Sequence, residues 1–362
     1  MADEQTARST WTLEFEKSDI SKSHLVDAAV RKLEPGEAKL RIDRVGVTAN
    51  NVTYAVLGES FRYWEFFPTE SGRGVVPLWG FAEVEESAVD GVAVGDRLYG
   101  YLPSASHLIV QPDRIDEQGF RDAREHRATL PSPYNAYALT TGDAAYEADR
   151  EDLLVLYRPL FWTSYMFADW LDDNDCFGAP VTVLTSASSK TAYGTAFELH
   201  RQGRSVVGLT SARNVEFTKS LGCYDRVLTY DQIGQLPADI PTLYGDFLGD
   251  GELTAALRVH LRDALVHEVV VGVTQQQAKA ARTIAETGPT MFFAPDQMRK
   301  RISDWGKDGL EARFAEAWQA FAQSVEGWVD VVVSEGPEAL QRVWLEVQSG
   351  LSDPRTGNIL SL

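Results

Sequence analysis

Hydroxyl and amino groups crowd a single short turn of this sequence. The turn follows the apolar run at 181–184 and contains Ser186, Ser188, Ser189, Lys190 and Thr191. Such side chains can donate hydrogen bonds to phosphate oxygens, and a helix that begins here would add the partial positive charge of its N-terminus. Alternatively, a serine only caps the helix and Lys190 lies in solvent. The turn is therefore a candidate anion site, and the two interpretations are compatible for different residues.

The segments around the turn have the order strand, turn, helix, strand. A helical pattern covers 191–202, and a second buried-strand run covers 205–213. This order is typical of the β-turn-α-β unit that binds dinucleotides, in which the turn carries the pattern G-x-G-x-x-G. Glycine lets the backbone approach a pyrophosphate closely. Here hydroxyl side chains and a lysine replace those glycines, so any function must account for a nucleotide-type turn without bare backbone.

The end of the second strand of this unit indicates which nucleotide would bind. An Asp or Glu there would bind the ribose 2′-hydroxyl and select NAD. The sequence instead has Thr210, Ser211, Ala212 and Arg213, with no acid. A hydroxyl group and an arginine suit a 2′-phosphate, so Ser211 and Arg213 predict NADP (NADPH) as the cofactor. The alternative is a solvated arginine at the start of a helix.

Aromatic residues are dense in the segment 61–68, and Trp79 follows. This density in a loop predicts an apolar pocket for a small-molecule substrate. The alternatives are a hydrophobic seal on the neighbouring strands and a contact between subunits. The candidate substrate contacts are Trp64, Phe67, Trp79 and Tyr137.

Three hydrogen-bond donors lie close to this aromatic segment in sequence. Tyr54, Tyr63 and Asn51 could each donate to the carbonyl oxygen of a substrate, and a tyrosine could polarise that oxygen during hydride delivery. We therefore predict that these are the catalytic residues. Arg158 and Ser164 are further candidates of the same kind. For each tyrosine the competing interpretation is a buried side chain that only stabilises the fold.

Composition excludes several classes of function. Lys and Arg number 34 against 53 Asp and Glu in 362 residues, a formal net charge of −19. Such a field repels nucleic acid and anionic lipid, so we expect neither as a partner. Two cysteines, and six histidines without H-x-x-x-H spacing, predict no metal site. The N-terminus has no apolar signal region and no apolar run of about 18 residues occurs, which predicts a cytoplasmic protein.

The pattern of predicted elements changes along the chain. Strand candidates at 39–47, 75–84 and 97–102, separated by turns rich in Gly and Asp, predict a β-barrel-like N-terminal domain. From residue 153 onward strands and helices alternate, including a helix at 275–286, which predicts a parallel sheet wrapped by helices. An aromatic stripe between 310 and 333 is expected to pack a C-terminal element against the barrel.

Three segments match motifs of one known superfamily. Residues 46–58 are similar to its segment after the early barrel strands, 92–100 (VAVGDRLYG) to its V-G-D-R-V-x-G turn, and 218–227 (TKSLGCYDRV) to its K-x-L-G-A-D-x-V pattern. On these motifs the chain resembles, over nearly its whole length, the medium-chain dehydrogenase/reductase superfamily. The likeness is closest to an uncharacterised subfamily of the zinc-free, quinone-reductase-like branch, because the superfamily's zinc ligands have no counterparts here.

The resemblance implies an α/β fold of two domains. A GroES-like β-barrel catalytic domain would comprise 1–157 and 296–362, and a Rossmann-type doubly wound parallel sheet would comprise 158–295. The resemblance further implies a zinc-independent reductase that transfers hydride from NADPH to a carbonyl or an activated C=C of a quinone, enone or aldehyde. It also implies a homodimer through edge strands at 269–273 and 291–294. A second possibility is that the fold has lost redox chemistry and acts as a lyase, an isomerase or a non-catalytic binding subunit.

Overall fold

The computed structural model describes residues 10–27, 31–271 and 288–362. The chain divides into two compact units, Met1–Leu156 with Asp330–Leu362, and Tyr157–Val329. The predicted helix at 275–286 lies outside the described residues. Within them, no helix is long and apolar enough to cross a membrane.

The first unit begins with antiparallel β-structure. Its elements are β1 (Trp11–Glu16), β2 (Asp19–Asp27), β3 (Ala38–Val47), α1 (Ala49–Val56), β4 (Gly74–Val75), β5 (Pro77–Ser87), β6 (Arg97–Pro103), β7 (His107–Val110), β8 (Pro112–Asp116), β9 (Gly119–Asp122) and β10 (Ala136–Leu139). β1 pairs with β2 and β4 in a three-stranded sheet, and the other strands join a nine-stranded sheet. In β3, Leu40 and Ile42 are fully buried, as the period-two pattern predicts.

The second unit is built on a parallel sheet. The unit boundary falls inside α2 (Glu151–Asp173), after which come β11 (Val181–Leu184), α3 (Lys190–Arg201), β12 (Ser205–Thr210), α4 (Val215–Ser220), β13 (Arg226–Thr229), β14 (Thr242–Asp246), α5 (Gly251–Leu261), β15 (Leu265–Val270), β16 (Thr290–Met291) and α6 (Ala294–Val325). The strands lie parallel in the order β13-β12-β11-β14-β15-β16. This is the order 3-2-1-4-5-6 of doubly wound nucleotide-binding sheets, whose ligand crevice opens beyond the carboxyl ends of the first and fourth strands. The predicted α/β fold class is confirmed.

The chain returns to the first unit with β17 (Asp330–Glu335), α7 (Gly336–Gln348) and β18 (Thr356–Ser361). β18 pairs in parallel with β17 and antiparallel with β3. On α7, Trp344 packs against Phe15 of β1, with ring centroids 4.9 Å apart. The C-terminal elements thus complete the core of the first unit.

The sequence led us to expect that the aromatic stripe packs against the barrel, but aromatic residues of α6 stack on α2 in the second unit. Phe314 stacks on Trp162 with ring centroids 3.8 Å apart, and Phe321 stacks on Phe161 at 4.3 Å. Residues 296–329 therefore belong to the second unit, which differs from the predicted domain boundary at 295/296. A stripe of apolar residues indicates which face of a helix is buried but not the surface that covers it.

The strands predicted for dimerisation are neighbours in the parallel sheet. β15 pairs with β16, and Val269 lies opposite Thr290. Residues 272 and 273 lie outside the described residues. The dimer remains a prediction.

Candidate functional site

The nucleotide turn, residues 185–191, follows β11 at the carboxyl end of the parallel sheet. Ser186 has φ 51°, in the left-handed region that glycine usually occupies. Neighbouring strands hold this conformation, because the Ala187 N–H donates to the Leu209 carbonyl at 3.0 Å and the Thr185 hydroxyl donates to Asp246 at 2.9 Å. The backbone therefore makes a glycine-type turn without glycine.

The next two serines use their hydroxyl groups inside the protein. Ser189 is the N-cap of α3, and its hydroxyl accepts a hydrogen bond from the Ala192 N–H. The Ser188 hydroxyl accepts hydrogen bonds from Asn214 Nδ2 at 2.9 Å and from the Thr210 hydroxyl at 3.3 Å. The capping interpretation thus describes Ser189. Both hydroxyls act only as acceptors in these bonds, so each keeps its own proton to donate, and their predicted contact with phosphate stays a prediction.

Lys190 is the first residue of α3, and nothing in the described chain neutralises it. Its Nζ lies 5.5 Å from the centroid of the Tyr157 ring, whose hydroxyl accepts a hydrogen bond from the Tyr193 hydroxyl at 2.8 Å. Burial lowers the pKa of Lys190 to about 8, and no carboxylate among the described residues opposes that shift. The positive end of the α3 dipole also disfavours a cation at this position. An anion bound at the turn would offset both costs.

The predicted 2′-phosphate ligands follow β12 directly. Ser211 is half-buried and precedes the short 3-10 turn Ala212–Asn214, in which Arg213 is exposed. Because Asn214 donates to Ser188, this segment is fixed to the nucleotide turn. Our sequence reasoning missed the role of Asn214. This role could have been inferred, because polar residues that follow adjacent parallel strands lie close together at the same edge of the sheet.

Ser164, predicted as a polar group for the substrate, instead packs α2 against α3. Its hydroxyl donates to the carbonyls of Leu160 and Thr191 at 3.1 and 2.8 Å. A Cβ at Gly194 would lie 2.7 Å from the Ser164 hydroxyl oxygen, so glycine is required where the two helices approach closely. Arg158, the other candidate on α2, is half-buried.

The nucleotide turn fits the diphosphate of a dinucleotide. The first N–H groups of an α-helix have no carbonyl partner within the helix, so the start of α3 presents hydrogen-bond donors. Ser188 and Ser189 accept hydrogen bonds within the protein but keep their hydroxyl protons, and Lys190 carries the only charge that the turn contributes. The groups that the turn offers to a phosphate are therefore backbone N–H groups, the hydroxyl protons of Ser188 and Ser189, and one ammonium group.

The first unit contains a tyrosine cluster, made of Tyr54, Tyr63, Tyr101, Tyr134 and Trp79. Ring centroids are 4.7 Å apart for Tyr54 and Tyr63, and 4.6 Å apart for Tyr101 and Tyr134. Trp79 of β5 lies opposite Tyr101 of β6 in the sheet, with centroids 5.0 Å apart. The fold thus brings together three residues predicted from sequence, Tyr54, Tyr63 and Trp79, and adds two tyrosines that were not predicted.

Of the two tyrosines that were not predicted, Tyr101 could have been identified from the sequence pattern and Tyr134 could not. The period-two alternation of β6 puts Tyr99 and Tyr101 on one face, next to Trp79 on the neighbouring strand. Tyr134 lies in a 3-10 turn between strands, where no periodic pattern indicates its position. The Tyr101 hydroxyl is buried and has no hydrogen-bond partner among the described residues.

The Tyr54 hydroxyl proton can go to a ligand or to the neighbouring Tyr134 hydroxyl, which is also a hydrogen-bond partner of Tyr54. The Tyr54 oxygen accepts hydrogen bonds from Asn50 Nδ2 at 2.7 Å and from Trp79 Nε1 at 3.1 Å. Both of those nitrogens act as donors, so neither bond uses the phenol proton. Burial raises the pKa of Tyr54 and of Tyr63 above the ordinary value for tyrosine, which keeps both phenols protonated at neutral pH.

Two residues predicted for this region stabilise the fold instead. Both polar atoms of the Asn51 amide bond within the protein: Oδ1 accepts from the Thr48 N–H at 2.7 Å, and Nδ2 donates to the first carbonyl of β5 at 2.9 Å. Trp64 is buried against two glycines. A Cβ added to Gly58 or Gly74 would lie 2.1 or 2.4 Å from the Trp64 ring. Neither side chain is free to contact a substrate in this conformation.

Tyr137 and Phe67 lie beside the tyrosine cluster and not within it. The Tyr137 ring lies against Gly100, its partner in the sheet, where a Cβ would be 2.4 Å away. Side chains alternate along a strand, so Tyr101 points to the opposite face from Tyr137. The Tyr137 hydroxyl donates to the Tyr101 carbonyl at 2.9 Å. Phe67 packs on the buried Arg127, with 4.8 Å from Cζ to the ring centroid.

The chain is similar to one protein family and to several solved structures. The model of the family described as "Protein of unknown function (DUF2855)" matches residues 45–353. No curated protein matches the sequence. In the part of the chain that the structure describes, no three His, Cys, Asp or Glu side chains are grouped to hold a metal ion.

Three solved structures illustrate the likeness in fold. CurA from Vibrio vulnificus, in complex with NADPH, is 12% identical with a TM-score of 0.61, over 97% of this chain and 98% of that chain. JamJ enoyl reductase is 12% identical with a TM-score of 0.59, over 98% and 99%. The quinone oxidoreductase from Coxiella burnetii is 14% identical with a TM-score of 0.56, over 98% and 100%. These likenesses in fold confirm the predicted α/β architecture.

Proposed function

The chain belongs to the family described as "Protein of unknown function (DUF2855)", and we propose that it is a zinc-independent, NADPH-dependent reductase. Its substrate would be a carbonyl compound or an activated C=C, as in a quinone, an enone or an aldehyde. The observation that carries the proposal is Lys190, whose charge no carboxylate among the described residues compensates. Lys190 lies at a glycine-type turn of a parallel sheet whose strand order is that of dinucleotide-binding domains. The NADPH bound to CurA, which has a similar fold, supports the choice of cofactor.

The second unit supplies the groups that would hold the cofactor. The first N–H groups of α3 and the Lys190 ammonium group would bind the diphosphate. Ser211 and Arg213, fixed to the turn through Asn214, would bind the 2′-phosphate. When bound, NADPH supplies the hydride. No carboxylate follows β12 to bind a ribose 2′-hydroxyl, which favours NADPH over NADH.

The tyrosine cluster of the first unit supplies the groups that would act on the substrate. Tyr54, whose bonds to Asn50 and Trp79 do not use its phenol proton, would donate that proton to the substrate oxygen and so stabilise the negative charge that develops there. Tyr63 is the second candidate donor, since its ring lies 4.7 Å from that of Tyr54. Trp79 both orients the Tyr54 hydroxyl and offers an aromatic face to a planar substrate.

Binding of the two cofactors is the direct test. The fluorescence of the chain's nine tryptophans would be followed during titration with NADPH and with NADH. We expect tighter binding of NADPH. Arg213→Ala should weaken the affinity for NADPH about 10- to 100-fold and leave the affinity for NADH unchanged, because one charge-assisted contact to the 2′-phosphate is lost. Lys219→Met, which removes an exposed lysine from α4, is the control for a general loss of positive charge.

Each possible result has a distinct meaning. Equal, weak affinity for NADPH and NADH would contradict the 2′-phosphate site. Tight NADPH binding without oxidation in the presence of quinones, enones and aldehydes would favour the alternative of a fold that has lost redox chemistry. Absence of binding to either cofactor would refute the reductase proposal.

A further inference from the structure

The second unit has a cavity that neither the nucleotide turn nor the tyrosine cluster uses. It lies where α2, the C-terminal end of α3 and α6 meet, and it has a volume of about 270 Å³. The centre of α6 is broken at Gly306, which has φ 74° and ψ 167°. Side chains from both halves of the broken helix, Trp305 and Arg313, line the cavity. It is separated from Lys190 by roughly two turns of α3.

The α3 side of the cavity carries a buried carboxylate paired with one arginine. Glu198 of α3 is 5% exposed, and its Oε1 lies 3.1 Å from Arg201 Nη1. Burial nevertheless raises the pKa of Glu198 to about 7, and the nearby Glu316 adds to this rise. One arginine therefore does not compensate for the desolvation of this carboxylate, and a second cation placed beside it would be stabilised.

The α6 side of the cavity carries Arg313, three residues before Glu316 on the same helix. The Arg313 guanidinium lies 4.7 Å from the centroid of the Trp305 ring, and no carboxylate of the described chain is within ion-pair distance of it. Arg301 lies 4.6 Å from the same ring, but its charge is matched by Asp169, Asp173 and Asp304. Arg313 thus presents an unmatched cation beside an indole ring.

We propose that this cavity binds a small zwitterion of the amino-acid type. The ligand ammonium group would lie between Glu198 and Glu316, and its carboxylate would bind Arg313. An apolar side chain would pack on the Trp305 ring, with the Tyr165 ring as a further aromatic wall. The lining holds two carboxylates and two arginines, so a ligand that carries both charges matches it better than a simple anion or a simple cation. This binding is independent of the proposed reductase activity.

Three related probes separate the possible ligands. Isothermal titration of the full chain would compare L-phenylalanine with hydrocinnamate, which lacks the ammonium group, and with phenethylamine, which lacks the carboxylate. We expect L-phenylalanine to bind roughly tenfold or more tightly than either, because each analogue loses one charge-assisted contact. Hydrocinnamate or phenethylamine binding as tightly as L-phenylalanine would overturn the zwitterion assignment.

Variants locate the binding in this cavity. Arg313 and Glu316 are both exposed, so the variants Arg313→Gln and Glu316→Gln should fold normally. Each variant should bind L-phenylalanine roughly tenfold more weakly than the wild type. Arg299→Gln, an exposed position on the same helix outside the cavity, is the matched control and should not change binding. Binding that persists unchanged in both cavity variants, or no binding to the wild-type chain at millimolar concentration, would refute the proposal.

Discussion

Replacing Lys190 by methionine should stabilise the fold and weaken the binding of the cofactor. Burial lowers the pKa of Lys190 from 10.5 to about 8. At 1.36 kcal/mol per unit, this lowering corresponds to at most about 3 kcal/mol of destabilisation at neutral pH. Lys190 is only partly buried, and solvent reduces the effect. We therefore expect Lys190→Met to raise the free energy of unfolding by about 1–2 kcal/mol at pH 7.

The sign of the pH dependence follows from the direction of the shift. Below about pH 8 the lysine is charged in both the folded and the unfolded chain, so the full cost is present. Between about pH 8 and the unfolded value of 10.5 the folded chain has lost its proton and the unfolded chain has not. Stability of the wild type should rise with pH across this window relative to the variant. The difference between the two proteins should vanish near the upper end.

The same substitution should have the opposite effect on NADPH binding. Loss of one charge-assisted contact corresponds to roughly 10- to 100-fold weaker affinity. In the wild type the affinity should also fall as pH rises through about 8, where Lys190 loses its charge, and in Lys190→Met this fall should be absent. Urea unfolding monitored at several pH values and fluorescence titration with NADPH provide the two measurements.

Lys219→Met is the control for both measurements. Lys219 is an exposed residue of α4 paired with Glu216 at 3.0 Å, so its removal should change stability by less than about 1 kcal/mol. A Lys190→Met protein that is less stable than wild type at pH 7 would contradict the desolvation argument. Unchanged NADPH affinity in that protein would show that the ammonium group does not contact the diphosphate.

Three further substitutions test other parts of the structure. Tyr54→Phe should lower kcat for NADPH-dependent reduction about 100-fold or more and leave NADPH affinity unchanged. Unchanged turnover would show that Tyr54 is not a catalytic residue. Asn214→Ala should cost about 1 kcal/mol of stability and weaken NADPH binding, because Ser188 loses the shorter of its two hydrogen bonds; urea unfolding and titration measure the two effects. Gly194→Ala should lower Tm through a 1–3 kcal/mol clash with the Ser164 hydroxyl. Adding Ser164→Ala should partly restore Tm, and failure to do so would point to another cause.

The parallel sheet was predictable because its signals are local. Apolar runs such as 181–184 alternate with helical patterns, and that alternation alone indicates β/α units. The resemblance to medium-chain reductases then implied the doubly wound order that the structure has. The packing of α6 was not predictable in this way, because its aromatic residues Phe314 and Phe321 would suit either unit.

The candidate site was only partly predictable because it depends on long-range register. Tyr137 and Tyr101 look equivalent in sequence, and only the pairing of Tyr137 with Gly100 reveals that their side chains point to opposite faces. Likewise, the spacing of the nucleotide turn indicated Lys190, but whether a carboxylate neutralises it depends on residues distant in sequence. The use of Ser188 by Asn214 is a contact of the same long-range kind.

Serines in place of glycines change which forces hold an anion at the turn. A net charge of −19 repels NADPH at long range, whereas Lys190 and the α3 N–H groups attract it at contact distance. Between about 0.01 M and 0.15 M salt the Debye length falls from about 30 to 8 Å, so salt removes the long-range repulsion far more than the contacts. NADPH affinity, measured by fluorescence titration, should therefore hold or rise up to severalfold over this range. A steep fall with salt would mean that exposed cations such as Arg213, and not the partly buried Lys190, supply most of the attraction.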